Sequence, residues 1–164
     1  MSRKQVRDHV ADWISSAQIT TLNQVFKSFP KRINFQVNAF PGQNSRAAAV
    51  VFIEAESESR LAIGGAYDGW KRVDYQVAFQ IYHQSTQRNA EDAMDDFDNL
   101  IDAVKERLRS GGHRLDLADS DGAIIWQAAE PLIDVTYGEP VTNDGGTTET
   151  FAAIRFTVTQ MIRA

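Results

Sequence analysis

The stretch GGAYDGWKRVDYQVAFQIYH, residues 64–83, comes nearest to a chemical motif in this chain. Glycines followed by a lysine can form a loop whose backbone N–H groups hold phosphate, but that loop ends in Gly-Lys-Ser or Gly-Lys-Thr and precedes a helix. Here Trp70 separates Gly69 from Lys71. Arg72 stands where the hydroxyl residue belongs, and a strand pattern follows. We therefore interpret the glycines as a connection into a strand, with an exposed contact surface at its tip.

Other motifs of catalysis or metal binding fail on spacing. The three histidines, at positions 9, 83 and 113, are far apart, and the sequence has neither a Gly-x-Ser-x-Gly elbow nor a Gly-x-Gly-x-x-Gly turn after a strand. Residues 119–122, DSDG, resemble the middle of a calcium loop, but Leu117 and Ala128 occupy the first and last ligand positions. The chain has no cysteine. We predict no catalytic residue, no cofactor and no metal site.

A run of acidic residues is explained by a helix rather than by a metal. Residues 89–109 carry an apolar stripe at helical period, beginning with an Asn89 cap and ending at Gly111. Acidic side chains crowd the first turns and basic ones the last, which complements the helix dipole. The acidic residues are Glu91, Asp92, Asp95, Asp96, Asp98 and Asp102. We predict a long central helix at about 89–110 whose acidic side chains form a solvated face.

The remaining pattern predicts one more helix and several strands. An amphipathic helix is expected from Arg3 to Ala17, and a short helical or irregular piece from Ile19 to Phe29. Period-two alternation predicts strands of about ten residues from Val73 and at Phe151–Ile162. Shorter strands are expected at Arg32–Phe40, Ala47–Ala55, Arg60–Ile63 (as the hairpin partner of the preceding strand), Ala123–Ala128 and Leu132–Tyr137, and a loop at Glu139–Thr150.

Fold class follows from the order of these elements. Helix, strands, long helix and strands predict an α+β protein with a mostly antiparallel sheet flanked by the N-terminal and central helices. The length, 164 residues, suits one domain spanning 1–164. The net charge of −5 argues against a generally basic nucleic-acid surface. With no signal-peptide pattern and no apolar window of membrane-span length, we expect a soluble protein made in the cytoplasm.

The layout resembles the tail terminator (tail completion) proteins of long-tailed bacteriophages. The similarity is carried by a strand reading YQVAFQIYH, a helix reading AEDAMDDFDNLIDAVKERLRS and a closing strand reading AAIRFTVTQMI, and it covers about Val6 to Ile162. The resemblance implies a non-enzymatic virion protein of the tail or neck, assembled in the bacterial host cytoplasm. It implies a homohexameric ring on the head-proximal end of the tail tube, which stops tube polymerisation and docks the head-side connector.

Two polar, turn-rich projections, Glu56–Lys71 and Glu139–Thr150, are the expected contact surfaces for this role. The partners would be further copies of the chain, the tail tube protein and the neck connector, with DNA sliding through the channel unbound and no membrane involved. The expected interface residues are Tyr67, Asp68, Trp70, Lys71, Arg72, Asn143 and Asp144. Two alternatives remain open: another phage neck or head–tail adaptor protein, and a small hydrolase or ligand-binding domain with a scattered site.

Overall fold

The computed structural model describes residues 3–29, 44–60, 69–109 and 133–163. Its elements in chain order are α1 (Arg3–Ser15), β1 (Leu22–Phe26), β2 (Ser45–Arg60), β3 (Trp70–Ser85), α2 (Ala90–Arg109), β4 (Asp134–Tyr137), β5 (Val141–Thr142) and β6 (Thr148–Arg163). The predicted strands at 32–40 and 123–128 lie outside the described residues, as do Tyr67 and Asp68.

The strands form one mixed, mostly antiparallel sheet in the order β1-β2-β3-β6-β4, with β5 also paired to β6. Only β1 runs parallel to its described neighbour, β2. Together with the two helices this confirms the α+β class. The long strands β2, β3 and β6 are 16 residues each, and β3 is paired with β6 along its whole length and with β2 from Lys71 to Ser85. None of the helices in the described ranges has the length and hydropathy needed to cross a bilayer.

One alternating set of strand side chains forms the core with both helices. The face of the sheet that carries it, here called the helix face, includes Val77 and Phe79, both with no exposed surface. The residues in between, such as Val50 and Ala78, lie on the opposite side, here called the second face. The predicted alternation over Val73, Tyr75, Val77, Phe79 and Ile81 is confirmed, since all five are buried.

The predicted central helix is confirmed, beginning at Ala90 and ending at Arg109. The Oδ1 of Asn89 accepts a hydrogen bond from the N–H of Glu91 at 3.1 Å, as expected of a cap. The N-terminal helix ends at Ser15, two residues earlier than predicted. There the Ser15 and Ser16 hydroxyls donate to the carbonyl oxygens of Ala11 and Trp13 at 2.8 and 2.7 Å, and Gln18 has a φ of 50°. These hydroxyls bond to backbone carbonyls in the last turn, which accompanies the earlier end of the helix.

Three predictions for shorter segments were wrong. The piece at Ile19–Phe29 contains β1, a strand held by parallel pairing to β2 and by the Asn23 side chain, which accepts from the N–H of Ala47 at 3.1 Å. Arg60 does not begin a return strand, because it is the last residue of β2 and faces Lys71 of β3 in the ladder; residues 61–63 of that prediction lie outside the described residues. The loop predicted at 139–150 contains β5 and the first residues of β6. In each case pairing with another strand decided the conformation.

Arg107 joins the two helices at their C-terminal ends. Its guanidinium lies 3.7 Å from the centre of the Trp13 ring, and it donates to the Trp13 carbonyl oxygen at 3.3 Å and the Ser16 hydroxyl at 2.8 Å. The carbonyl groups of a helix's last turn lack partners within the helix, so this cation satisfies one of them.

We therefore expect Arg107→Lys to lower the free energy of unfolding by about 1 kcal/mol, because an ammonium cannot stack on the indole and bond to both oxygens together. Urea denaturation measures the change. Arg109→Lys, on the exposed side of the same helix, is the matched control and should stay within about 0.5 kcal/mol of the parent. Equal effects of the two substitutions would contradict the assigned role of Arg107.

Candidate assembly surface

The sheet extends at one end into a three-stranded arm, defined here as residues 55–60, 70–76 and 157–163. Among the described strands, β1 reaches only to Val50 along β2, and β4 reaches only to Arg155 along β6. The arm begins at a bulge in β2 between Ile53 and Ala55, where the Arg3 guanidinium of α1 donates to the Ile53 carbonyl oxygen at 2.7 Å. A projection was predicted at Glu56–Lys71; of its described residues, 56–60 and 70–71 belong to paired strands, and residues 61–68 lie outside the described residues.

The arm is anchored by packing on its helix face. Val73 and Tyr75 are each only 3% exposed, and the Tyr75 hydroxyl lies 3.5 Å from Oε1 of Gln160. Burial raises the pKa of the Tyr75 hydroxyl, and the charges of Glu56 and Glu58 raise it further. The arm is therefore a continuation of the packed sheet.

Three of the predicted interface residues lie at the described tip of the arm. The Trp70 side chain is 50% exposed. Lys71 forms an ion pair with Glu58 at 2.7 Å, and Nε of Arg72 contacts Oδ1 of Asp74 at 2.8 Å. Exposed ion pairs of this kind add little stability, so these cations remain free to exchange partners. An exposed tryptophan beside two cations has the composition of an interface hot spot.

The other two predicted interface residues occupy the turn between β5 and β6. Oδ1 of Asn143 accepts from the N–H groups of Gly145 and Thr147, both at 3.1 Å, and the φ of Gly146 is +75°. Asn143 therefore shapes the turn, and Gly146 supplies a conformation that other residues rarely adopt. Asp144 is exposed and makes no hydrogen bond or ion pair within the described chain.

The two groups of predicted residues lie at opposite ends of the sheet. In the β3–β6 ladder Trp70 pairs with position 163, whereas Ser85 pairs with Thr148 beside the turn. Sixteen residues of extended strand separate these ends, which corresponds to roughly 50 Å. The structure therefore does not bring the seven predicted residues into one site; it places those it describes on two distant surfaces.

A charged cleft on the second face was missed by the sequence analysis. Nε of Arg155 contacts both carboxylate oxygens of Glu54, at 3.0 and 3.2 Å, and one of its Nη atoms donates to the Thr136 hydroxyl at 3.2 Å. This contact crosses β3 at Ala78, whose methyl group leaves room for it. The cleft has a volume of about 290 Å³. It is lined by Glu54, Gln76, Asp134, Arg155, Phe156 and Thr157.

A buried polar cluster beneath α2 was also missed. His83 is 1% exposed, its ring centre lies 5.4 Å from that of Phe97, and its Nδ1 lies 3.0 Å from the Thr150 hydroxyl. Its Nε2 has no hydrogen-bond partner in the described part of the chain. Burial lowers the pKa of His83 to about 4, and the charge of Asp96 opposes that shift. The signal was present, because position 83 continues the buried alternation of β3.

This cluster bears on the hydrolase alternative because it contains serine, histidine and aspartate. The Ser45 hydroxyl donates to the Asp96 carboxylate and lies 3.3 Å from the Ser85 hydroxyl. A serine nucleophile would instead donate to a histidine nitrogen that is held by the carboxylate. Ser45, His83 and Asp96 are therefore not arranged as a catalytic relay. Ser45 is hydrogen-bonded to the half-buried Asp96 under the first half of α2, whereas the hydrogen bond of His83 goes to Thr150.

The fold and these surfaces define a class: an α+β protein whose described residues form a six-stranded sheet with helices on one face, a three-stranded arm at one end and an exposed turn at the other. No family model matches the chain, and no curated protein matches it. Its functional assignment consequently depends on the geometry of its own surfaces and on the resemblance in layout.

Proposed function

We propose that this protein is a structural component of a bacteriophage tail, a terminator that forms a ring on the head-proximal end of the tail tube. The ring ends tube polymerisation and presents a docking surface to the head-side connector. The observation that supports this proposal most is the placement of two exposed projections at opposite ends of one continuous sheet. A protein that joins a tube to a connector needs two separate contact surfaces held in a fixed relation.

The composition of the arm tip supports self-association. A closed ring uses heterologous contacts, in which one surface meets a different surface of the next copy. Trp70, Lys71 and Arg72 supply an apolar anchor and two cations on strand-paired backbone, which lowers the conformational entropy lost on binding. The net charge of −5 is compatible with a channel for DNA, because a basic lining would retain phosphate.

Particle mass and symmetry test the proposal. Light scattering over a concentration series and electron microscopy of the purified protein should give a closed sixfold ring with a central hole, either alone or after addition of tube ends. A ring of another symmetry that does not stop tube growth would favour the neck adaptor. A protein that stays monomeric in the presence of tube ends would contradict both forms of the proposal.

The double variant Trp70→Ala, Arg72→Ala tests the arm tip. We expect the protein concentration at half-assembly to rise about thirtyfold or more, because loss of a buried interface anchor costs about 2 kcal/mol or more. Circular dichroism and the melting temperature of the monomer should change little, since both side chains are exposed or half-exposed. Scattering as a function of concentration measures the assembly.

The chain offers a closely matched control for this variant. Phe29 is 51% exposed, as Trp70 is 50% exposed, and Lys27 forms an exposed ion pair with Asp12 at 2.7 Å. Phe29→Ala with Lys27→Ala therefore removes a similarly exposed aromatic ring and an ion-paired cation elsewhere on the surface. Assembly should be unchanged in this control. If both double variants assemble like the parent, the arm tip does not form the ring contact.

A further inference from the structure

The cleft on the second face carries more negative than positive charge. Its two carboxylates, Glu54 and Asp134, face a single cation, Arg155, which is already bonded to Glu54. Asp134 stands directly opposite Arg155 in the β4–β6 ladder, yet its carboxylate has no hydrogen bond or ion pair to any residue that the structure describes. A cleft of about 290 Å³ with an unpaired carboxylate at its rim fits a cationic group.

The arm tip offers such a group on the same face of the sheet. Arg72 alternates with Lys71 so that its side chain shares the second face with Asp74, and only its Nε is bonded, to Asp74. The two Nη atoms have no hydrogen-bond partner among the residues described, and they can donate to a further carboxylate in a bidentate manner. Trp70 lies two positions away on the same face and can cover the contact.

These two features cannot meet within one molecule. Arg72 and Ala78, the residue that faces Arg155, are both part of β3, six positions apart, so that about 20 Å of continuous paired strand holds them apart. A second copy of the chain has no such constraint. We propose that the arm tip of one copy inserts Arg72 into the Glu54–Asp134 cleft of another copy, with Asp134 as the accepting carboxylate.

This contact rests on the proposed function in one respect, since it names the surface that receives the arm tip in the ring. The contact between the arm tip and the cleft can also form if the protein does not assemble into a ring. The donor and the acceptor lie on the same face, so two copies can satisfy each other in a closed pair, whereas a rotated arrangement extends from copy to copy. The experiment below separates these cases.

The absence of native cysteine allows the contact to be trapped directly. Ser59 pairs with Arg72 in the β2–β3 ladder and is exposed, and Thr157 lines the cleft. A chain carrying Ser59→Cys and Thr157→Cys keeps all the charges and places one thiol beside the tip and one beside the cleft. Under mild oxidation we expect disulfide-linked copies on a non-reducing gel. The matched control, Ser59→Cys with Asp144→Cys, should stay unlinked because position 144 is at the other end of the sheet.

The pattern of linked species separates this inference from the ring. Disulfide-linked oligomers that extend up to the number of copies in the ring, and no further, support both the contact and the ring. Linked dimers alone support the contact and contradict the ring. Rings that form without the 59–157 link overturn the contact and leave the ring standing. Absence of any link in the presence of tube ends overturns the contact.

The role of the charge is tested in the same background. Adding Asp134→Asn should lower the yield of linked chains about tenfold or more, because it removes the negative charge that pairs with the Arg72 guanidinium and leaves an uncharged amide oxygen as the acceptor. Asp144→Asn, equally exposed and at the distant turn, should leave the yield unchanged. An undiminished yield with Asp134→Asn overturns the assignment of this carboxylate as the acceptor, and with it the proposal.

Discussion

Lowering the pH from 7 to 4 is expected to reduce the free energy of unfolding by about 3 kcal/mol through His83 alone. The pKa of this residue falls from 6.5 to about 4 in the folded protein because its ring is buried against Phe97 and α2. The neutral ring is therefore the form that the folded state favours. Each pH unit between the two pKa values is worth about 1.4 kcal/mol.

The direction of the effect follows from which state binds the proton first. Above pH 6.5 both states hold a neutral ring, and the stability associated with burial is fully present. As the pH falls below 6.5 the unfolded chain takes up a proton that the folded protein excludes, so stability is lost until the folded pKa of about 4 is reached. Asp8, whose pKa is lowered from 3.8 mainly by a hydrogen bond from Lys4, loses its contribution only at lower pH.

Urea denaturation at pH 7 and at steps down to pH 4 measures this loss. His83→Gln removes the titrating group, and the decline between pH 6.5 and 4 should become about 3 kcal/mol smaller than in the parent. Val104→Ala, a core substitution in α2 with no exposed surface, is the control. Val104→Ala should lower the free energy of unfolding at every pH and leave its slope against pH unchanged. A parent slope that persists in His83→Gln would show that another group accounts for the acid sensitivity.

The acid-sensitive residue illustrates what the sequence can reveal about this fold. Alternation from Val73 to Ile81 predicted the buried face of β3 correctly, because a long antiparallel strand with one packed face has a period that is visible locally. The same holds for α2, where the apolar stripe, the Asn89 cap and the charge distribution all agree. His83 was missed although it continues that period, because the sequence does not show which residues a histidine on an apolar face will contact.

Features that depend on pairing between distant segments could not be predicted from local pattern. The strand β1 is short and half-buried, and it becomes a strand through its parallel contact with β2. The ion pair between Glu54 and Arg155 spans 101 positions and depends on a bulge in β2 and on a small residue, Ala78, between the two strands. No local signal encodes that register.

For the predicted interface residues too, local features could be predicted from the sequence and spatial relations could not. The turn residues within 139–150 do form an exposed turn at Asn143–Gly146, but the sequence did not indicate that the Asn143 side chain shapes it. The tip residues Trp70, Lys71 and Arg72 were predicted as a contact surface, and their part in assembly stays a prediction. Whether the two surfaces are near each other is a question of topology, and the ladder between β3 and β6 answers it.

Phe79→Ala is expected to have the largest effect of any single substitution considered, a loss of about 4 kcal/mol in the free energy of unfolding. Phe79 has no exposed surface and lies on β3 between Val51 and Ile154 of the two adjacent strands. Removing a phenyl ring there leaves a cavity that paired strands on both sides cannot close. Chemical denaturation should show the loss, whereas Phe29→Ala, at a half-exposed ring 5.3 Å from Phe52, should cost about 1 kcal/mol.

Hydrogen exchange in the same variant shows whether the arm is part of the cooperative fold. The strand β3 runs unbroken from Phe79 to the arm residues Val73 and Tyr75, which are themselves buried. If core and arm unfold as one unit, a loss of about 4 kcal/mol should speed exchange of the arm's most protected amides by about a thousandfold, as it does in the core. Arm amides that keep their protection while core amides lose theirs would contradict this. The arm would then be an independently stable element, and the binding of its tip to another copy would not depend on the packing beneath the helices.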